Sequence, residues 1–318
     1  MRPALQYQPD QEQLSLSAAL EAPLADLLPI ARLHAGAIGE DHSVWRQLFD
    51  LGILTAGLDE ARGGSGLGAT ELVLIAIELG KHLVSPAIIA TMVARDGTEE
   101  SLRIATGFGG EEPVWIEEPG ASVLLVRTDA GATLHAMPKD GQIADDFIWG
   151  VRLINGPIGA PLRELDMREA SLLRLLEAAA LAGIADATLA MAVDYAKTRE
   201  QFGRPIGSFQ AIKHHCANMA ISARAARDLT TFAAVAMDTG RADAAHRTES
   251  AFLVAANAAV DNAGMNIQVH GGIGFSAEAD PHLFLKRARL IVALGGGSEA
   301  AALRIAAAHI TNHSGTDI

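Results

Sequence analysis

Two glycine-bearing segments in the second half of the sequence carry residues suited to binding a phosphate. The first reads YAKTREQFGRPIGSFQAIKH and spans residues 195–214. Within it Arg199 offers a planar cationic fork to a phosphate, and Phe202 offers an apolar platform beside it. The turn at 203–207 separates two helical patterns, and Ser208 is placed to cap the second one. From the residues alone, a plain corner between two helices explains this segment equally well.

The second segment reads QVHGGIGFSAEADPHLFLKRAR and spans residues 268–289. Gly271, Gly272 and Gly274 follow a helical pattern, so backbone amides can approach a ligand where a Cβ atom would obstruct it. The spacing is not a Rossmann fingerprint, because that motif lies between a strand and a helix. His270, beside the glycines, either reaches a cofactor or satisfies nearby backbone.

Long helical patterns position both segments. Apolar periodicity predicts helices over 169–197, 208–238, 243–269, 281–291 and 298–310. Alanine dominates them, which allows close approach between helices, and the short connections predict an antiparallel bundle. Residues 41–94 are also predicted helical, interrupted by the glycine-rich stretch GLDEARGGSGLG. This stretch lacks the Lys-Ser/Thr ending of a P-loop and is predicted to be a flexible connection.

A strand-rich segment lies between the helical parts. From about residue 107 to 165, short apolar runs alternate with turn sequences and predict four or five strands. The predicted fold is therefore mainly α with a small inserted β-domain. The corresponding division is an N-terminal helical domain over 1–106, a reduced β-domain over 107–165 and a C-terminal helical bundle over 166–318.

Composition excludes several classes of function. The formal charge of −13 argues against nucleic-acid binding, which needs a basic footprint. The single cysteine, Cys216, rules out an intrachain disulfide and is expected to be buried, and the adjacent His214 and His215 lack metal-ligand spacing, so no metal site is predicted. The N-terminus has no signal pattern, and charges interrupt the apolar runs. We expect a cytoplasmic protein without a membrane span.

Together the two glycine-bearing segments resemble the acyl-CoA dehydrogenase family in order and separation. The stretch WRQLFDLGILTAGLDEARGGSGLGATELVLIAIELGK is similar to the family's N-terminal helical region. The resemblance implies an N-terminal helical domain, a middle β-domain and a C-terminal four-helix bundle, with FAD bound at a subunit interface. Residues that match the family's RxQFG and QxxGGxG motifs are implied to bind the cofactor: Arg199, Gln201, Phe202, Gln210, Gln268, Gly271 and Gly272.

The sequence departs from the family where the catalytic glutamate is expected. That carboxylate removes the α-proton of the substrate while a hydride passes to the flavin. In one branch it precedes the last helix, and the matching position here is Gly295, or Leu294 if the register slips by one. In a second branch it precedes an arginine that matches Arg174, and that position is Leu173. None of these side chains is a base.

Two other carboxylates are candidate substitutes. Glu177 lies one turn beyond Leu173, which moves a carboxylate by about 5–6 Å along the helix axis. Glu299 lies in the first turn of the last helix, where interaction with the helix dipole is the simpler explanation. The family's flavin-holding turn and strand are reduced here to EEPGA at 117–121 and to FIWGVRLING at 147–156, with Trp149 as the matching indole or a core residue.

The resemblance and its gaps favour one function over two alternatives. The favoured hypothesis is a non-catalytic, FAD-binding flavoprotein subunit of a heteromeric α2β2 oxidoreductase that dehydrogenates an acyl-CoA thioester, with steroid degradation as one setting. A related subunit would supply the glutamate, and an electron carrier would accept the electrons. The alternatives are a self-sufficient dehydrogenase or oxidase with a relocated base such as Glu177, and a non-enzymatic scaffold that has lost the cofactor.

Overall fold

The computed structural model describes residues 8–36, 39–128, 131–146 and 150–313. The N-terminal helical part contains α1 (Gln11–Leu27), α2 (His42–Asp50), α3 (Ala69–Lys81) and α4 (Pro86–Ala94). Helix α1 was not predicted. Its start nevertheless carries a capping box, in which Asp10 and Gln13 each accept a hydrogen bond from the other's backbone amide.

A seven-stranded sheet follows, with β1 (Ile104–Phe108), β2 (Val114–Ile116), β3 (Val123–Thr128), β4 (Gly131–Ala136), β5 (Gln142–Asp146), β6 (Arg152–Asn155) and β7 (Pro161–Glu164). The strand order is β5-β6-β2-β1-β3-β4-β7. Only the β1–β3 pair is parallel in this sheet. The prediction of four or five strands was therefore too low, because the two edge strands, β5 and β7, are polar and because β1 begins at Ile104, before the predicted strand-rich segment.

The C-terminal part is the predicted helical bundle. It contains α5 (Met167–Thr198), α6 (Gln210–Asp238), α7 (Ala244–His270), α8 (Pro281–Leu294) and α9 (Ser298–His313), with a short hairpin of β8 (Glu200–Gln201) and β9 (Arg204–Pro205) after α5. The predicted bounds of these five helices agree with the structure to within a few residues. The fold of mainly helical layers around a small sheet is confirmed, whereas the domain boundaries after residues 106 and 165 stay predictions.

Helix α5 is the centre of the molecule. It packs against α3, α6 and α7 in one continuous apolar core. Glycines allow the closest crossing: a Cβ atom at Gly80 of α3 would meet the Ala180 carbonyl, and one at Gly183 would meet the Ile77 carbonyl. The alanine-rich sequence predicts close packing between helices, and at this crossing glycine brings the two backbones closer still.

Within the part of the chain that the structure describes, three helical stretches are long and apolar enough to cross a membrane by length and composition. They are Gln11–His34, Met167–Thr198 and Pro281–Ala307. By length and composition, these stretches differ from the prediction that charged residues leave no apolar run long enough for a membrane span. In Met167–Thr198, 67% of the most apolar window is buried inside the protein, so packing of α5 in the bundle accounts for its composition.

Candidate functional site

The residues matched to the cofactor motifs lie at one end of the bundle. Tyr195, near the end of α5, stacks on His270, the last residue of α7, with ring centroids 4.0 Å apart. Beneath this stack Ala192, Val269 and Met219 of α6 form a small apolar cluster. The structure therefore brings the two glycine-bearing segments together. Every residue of the motif set is exposed: Arg199, Gln201, Phe202, Gln210, Gln268, Gly271 and Gly272.

Phe202 is the first residue of the two-residue turn in the β8–β9 hairpin, a turn type with positive φ at both of its positions. Its side chain is 91% exposed, and its backbone φ is +53°, a region that costs a bulky residue about 1–2 kcal/mol. The ring makes an edge contact with Phe209, at 6.1 Å between centroids, and the Arg204 guanidinium covers the Phe209 ring. The hairpin turn accounts for the backbone conformation and presents the Phe202 ring to solvent.

Arg199 and the glycines also keep open space around them. The Arg199 guanidinium makes no hydrogen bond or ion pair with the part of the chain that the structure describes. A Cβ atom at Gly271 or Gly272 would meet nothing within 4 Å, whereas one at Gly274 would lie 2.7 Å from the Ile267 carbonyl oxygen. Packing thus accounts for Gly274, while the approach at Gly271 and Gly272 stays free for a ligand.

His270 Nδ1 donates a hydrogen bond to the Asn266 carbonyl oxygen at 2.8 Å, so the side chain satisfies nearby backbone, one of its two predicted roles. His214 is exposed and His215 is half-buried. Cys216 is half-buried as well, which corrects the prediction of a buried residue, and burial raises the pKa of its thiol. Among the described residues no cluster of three or more His, Cys, Asp or Glu could hold a metal ion.

A large open cleft lies at the opposite end of α5. Its volume is about 1010 Å³, and it is bounded by β3 and β4, the first turns of α5 and α7, and the turn between α8 and α9. Leu173 lines this cleft, whereas Arg199 directly follows the last residue of α5, 26 residues later and about 39 Å along the axis. The motif residues therefore lie far from the cleft of the same chain.

The position of Gly295 is filled by neighbouring side chains. A Cβ atom there would lie 2.7 Å from Phe252 Cε2 and 2.8 Å from Arg174 Nη1. Arg174 donates a hydrogen bond to the Gly295 carbonyl and lies 4.3 Å from the centroid of the Phe252 ring. Any side chain at this position requires Phe252 or Arg174 to move.

Arg174 belongs to a chain of charges along the cleft. Its Nε lies 3.3 Å from a Glu249 carboxylate oxygen, and Arg304 contacts the other oxygen at 3.1 Å. Burial lowers the pKa of Arg174, while the charges of Glu177 and Glu249 oppose that shift. The Thr248 hydroxyl, also lining the cleft, is buried without a hydrogen-bond partner among the described residues.

The two substitute carboxylates differ in their surroundings. Glu177 is 5% exposed, and both its oxygens accept hydrogen bonds from Arg127 at 2.8 and 2.5 Å. This bidentate pair holds the carboxylate away from free solvent. Glu299 is exposed in the first turn of α9, where it complements the helix dipole. Leu173 is buried, at 3% exposure.

The sequence did not predict either ion-pair system of the cleft, the Arg127–Glu177 pair or the Arg174–Glu249 pair. The only local signals were a charge within the buried strand β3, at Arg127, and a carboxylate within the alanine-rich pattern of α7, at Glu249. Trp149, proposed as a matching indole, lies outside the described residues.

Comparison with known proteins identifies the family. Residues 164–310 match the model of the acyl-CoA dehydrogenase C-terminal domain, and residues 10–103 match that of the N-terminal domain. The acyl-CoA dehydrogenase IpdE2 of Mycobacterium tuberculosis is 31% identical over 313 residues, which cover 88% of this chain and 91% of that relative. The chain belongs to the acyl-CoA dehydrogenase family.

Solved structures share the fold of this family member over almost its whole length. The Tcur3481-Tcur3483 steroid ACAD superimposes with a TM-score of 0.80 at 24% identity, covering 96% of this chain and 99% of that chain. The ChsE4-ChsE5 complex from Mycobacterium tuberculosis gives 0.77 at 22% identity, covering 98% and 100%. At these identities the likeness concerns the fold.

Proposed function

We propose that this family member is an FAD-binding, non-catalytic subunit of a heteromeric acyl-CoA dehydrogenase. The proposal rests on the side chains found at three positions considered for the catalytic base. Gly295 is obstructed by Phe252 and Arg174, Leu173 is apolar, and Glu177 is engaged by Arg127. A related subunit therefore supplies the catalytic glutamate.

The exposed motif residues fit the pyrophosphate and adenine end of FAD. Arg199 has a free guanidinium for a phosphate, Phe202 presents its ring to solvent, and the backbone at Gly271 and Gly272 is open to approach. Gln201, Gln210 and Gln268 add amide groups on the same surface. When bound, FAD supplies the acceptor for the hydride that leaves the substrate.

The separation of these residues from the cleft supports a shared site. About 39 Å of helix lies between Leu173 and Arg199, so the flavin tail held by this chain serves a ring held elsewhere. Two of the fold's relatives are named as two-component proteins, the ChsE4-ChsE5 complex and the Tcur3481-Tcur3483 steroid ACAD. An α2β2 assembly follows the same arrangement.

We infer the rest of the activity from the family. The reaction is α,β-dehydrogenation of an acyl-CoA thioester, with electrons passed to a carrier protein. A steroid side-chain CoA ester is the proposed substrate, because one structural neighbour is named a steroid ACAD. The proposed compartment is the cytoplasm.

Flavin content tests the proposal directly. The chain produced alone should contain little FAD, and co-expression with the related subunit should restore both flavin and dehydrogenation. In that complex Arg199→Ala should remove most of the flavin, because the pyrophosphate loses its charge-assisted contact. Arg168→Ala is the matched control, since Arg168 is an exposed arginine at the other end of α5.

A flavin-replete, active assembly of this chain alone would contradict the proposal. In that case Glu177→Gln should abolish turnover and leave FAD bound, as a self-sufficient enzyme with a relocated base requires. Flavin content that is unaffected by Arg199→Ala, or absent with and without the partner, would support the scaffold alternative.

A further inference from the structure

The Arg127–Glu177 ion pair stands between two cavities of different character. Arg127, on β3, lines the open cleft of about 1010 Å³. Glu177, on α5, lines a second cavity inside the bundle, of about 10 Å³. The pair is nearly buried, with side-chain exposures of 14% and 6%, and Arg127 Nη1 also lies 3.4 Å from the Leu294 carbonyl oxygen.

The inner cavity is apolar apart from two charged side chains, Glu177 and the buried Arg287. Its volume is about that of one water molecule, so it cannot hold an acyl chain. The remaining walls come from α3, α4, α5 and α8 and include Leu83, Val84, Ile89, Ala180, Ile184 and Ile291. An acyl chain entering from the cleft would reach the apolar walls of the inner cavity only by passing the ion pair.

We propose that the Arg127–Glu177 pair closes the interior of the bundle to extended acyl chains, so that a ligand of this chain's own cleft ends at the pair. The inference rests on the proposed function, in which the assembly acts on a CoA thioester, and takes this chain's own cleft to bind the same class of ligand. A short or broad acyl group fits the wide cleft, whereas a long straight chain requires the pair to open.

Separating Arg127 from Glu177 is unfavourable because it would leave two nearly buried charges without partners. Both carboxylate oxygens of Glu177 accept hydrogen bonds from one guanidinium. A methylene chain inserted between them satisfies neither charge and leaves both buried without a partner. The same reasoning requires that a test remove both side chains together, because a single substitution leaves one buried charge.

The test compares acetyl-CoA with octanoyl-CoA by isothermal titration of the full-length chain in the form in which it purifies. The wild-type chain should bind the two thioesters with affinities within about threefold, because the pair keeps the six added methylenes out of the bundle interior. In Arg127→Ala/Glu177→Ala the preference for octanoyl-CoA should rise at least tenfold, because buried methylenes are favourable. Arg127→Met/Glu177→Met provides a second variant that keeps the side-chain volume and can yield to the chain.

The matched control is Arg163→Ala/Glu169→Gln. This pair is also bidentate, at 2.8 and 2.9 Å, and joins β7 to the first turn of α5 away from the cleft lining. Glutamine at 169 retains an acceptor for the helix cap. The control should leave the octanoyl-to-acetyl ratio unchanged.

A wild-type preference of more than tenfold for octanoyl-CoA would overturn the proposal, as would an unchanged ratio in both double variants. If acetyl-CoA does not bind, titration with 1-octanol gives the answer: binding to the double variants alone supports closure, and binding to the wild type or to none refutes it. The proposed function fails on flavin content instead, so the two failures are distinguishable.

Discussion

At the scale of single residues, the turn between α8 and α9 shows that neighbouring side chains occupy the space beside Gly295. Gly295 lacks a side chain, and Phe252 and Arg174 occupy the space that a side chain would need. Phe252 is fully buried in α7, so it has no free volume into which to move. A carboxylate at this position would therefore require the neighbouring side chains to move.

Gly295→Ala should lower the free energy of unfolding by about 1–3 kcal/mol, because one methyl group overpacks the Phe252 ring. Gly110→Ala is the control: it also lines the cleft, and its Cβ atom would meet nothing within 4 Å. Urea unfolding measures both. Adding Phe252→Leu should recover part of the loss as a favourable coupling energy. Equal stability of the two alanine variants would show that the turn yields without cost.

At the scale of elements, the glycine-rich loop ends in a helix N-terminus that is already occupied. Asp238, the last residue of α6, accepts hydrogen bonds from the Ala69 and Thr70 amides of α3 at 2.7 and 2.9 Å, and from the Thr70 hydroxyl at 2.7 Å. The carboxylate takes the place that a phosphate would need. The loop therefore joins the N-terminal helices to the bundle.

Asp238→Ala should cost about 1–2 kcal/mol of stability, because two amides at the start of α3 lose their cap. Asp228→Ala tests the effect of removing an aspartate from the same helix. Its exposed pair with Arg224 should contribute less than about 1 kcal/mol. Thermal unfolding distinguishes the two, and similar losses would mean that the cap does not couple the elements.

At the scale of the whole molecule, Glu118 links the sheet to the N-terminal helices. It is 3% exposed and accepts hydrogen bonds from Trp45 Nε1 at 3.1 Å and from the Ser85 hydroxyl at 2.7 Å. It belongs to the EEPGA segment, in which the family resemblance places a flavin-holding turn. In this chain the segment's buried carboxylate connects two parts of the fold.

The stability of this junction should depend on pH. Burial raises the pKa of Glu118, although hydrogen bonds from Ser85 and Trp45 oppose the shift. The folded state therefore disfavours the ionised carboxylate, and the contribution of Glu118 to stability falls as pH rises above its ordinary pKa of 4.5 and through the raised value.

Glu118→Gln removes this titration, so the stability of the variant relative to wild type should increase between pH 5 and neutral pH, as measured by urea unfolding at each pH. Glu117→Gln is the neighbouring control, a half-exposed residue paired with Arg152 at 3.0 Å, and should shift stability by less than about 1 kcal/mol. A relative stability of Glu118→Gln that is independent of pH would contradict the assignment.

Local patterns determined the helices of the bundle. Helix α5 begins at a capping box of Asp166 and Glu169 and carries an apolar periodicity over 32 residues, both visible in the sequence. Helix α1 lacked a strong periodicity, and only three of its residues are buried. Strands β5 and β7 lie at the edges of the sheet and have polar sequences. No alternation of apolar and polar residues therefore predicted them.

The sequence by itself determined the fold class and the absence of a glutamate at Leu173 and Gly295, and it contains the two segments that resemble the family's motifs. Only the tertiary structure decided what fills those places. Arg127 and Glu177 are 50 residues apart and meet because the folded chain brings the end of β3 next to α5, and Arg174 reaches the Gly295 carbonyl across 121 residues. Such pairs depend on how elements pack, which local periodicity does not encode.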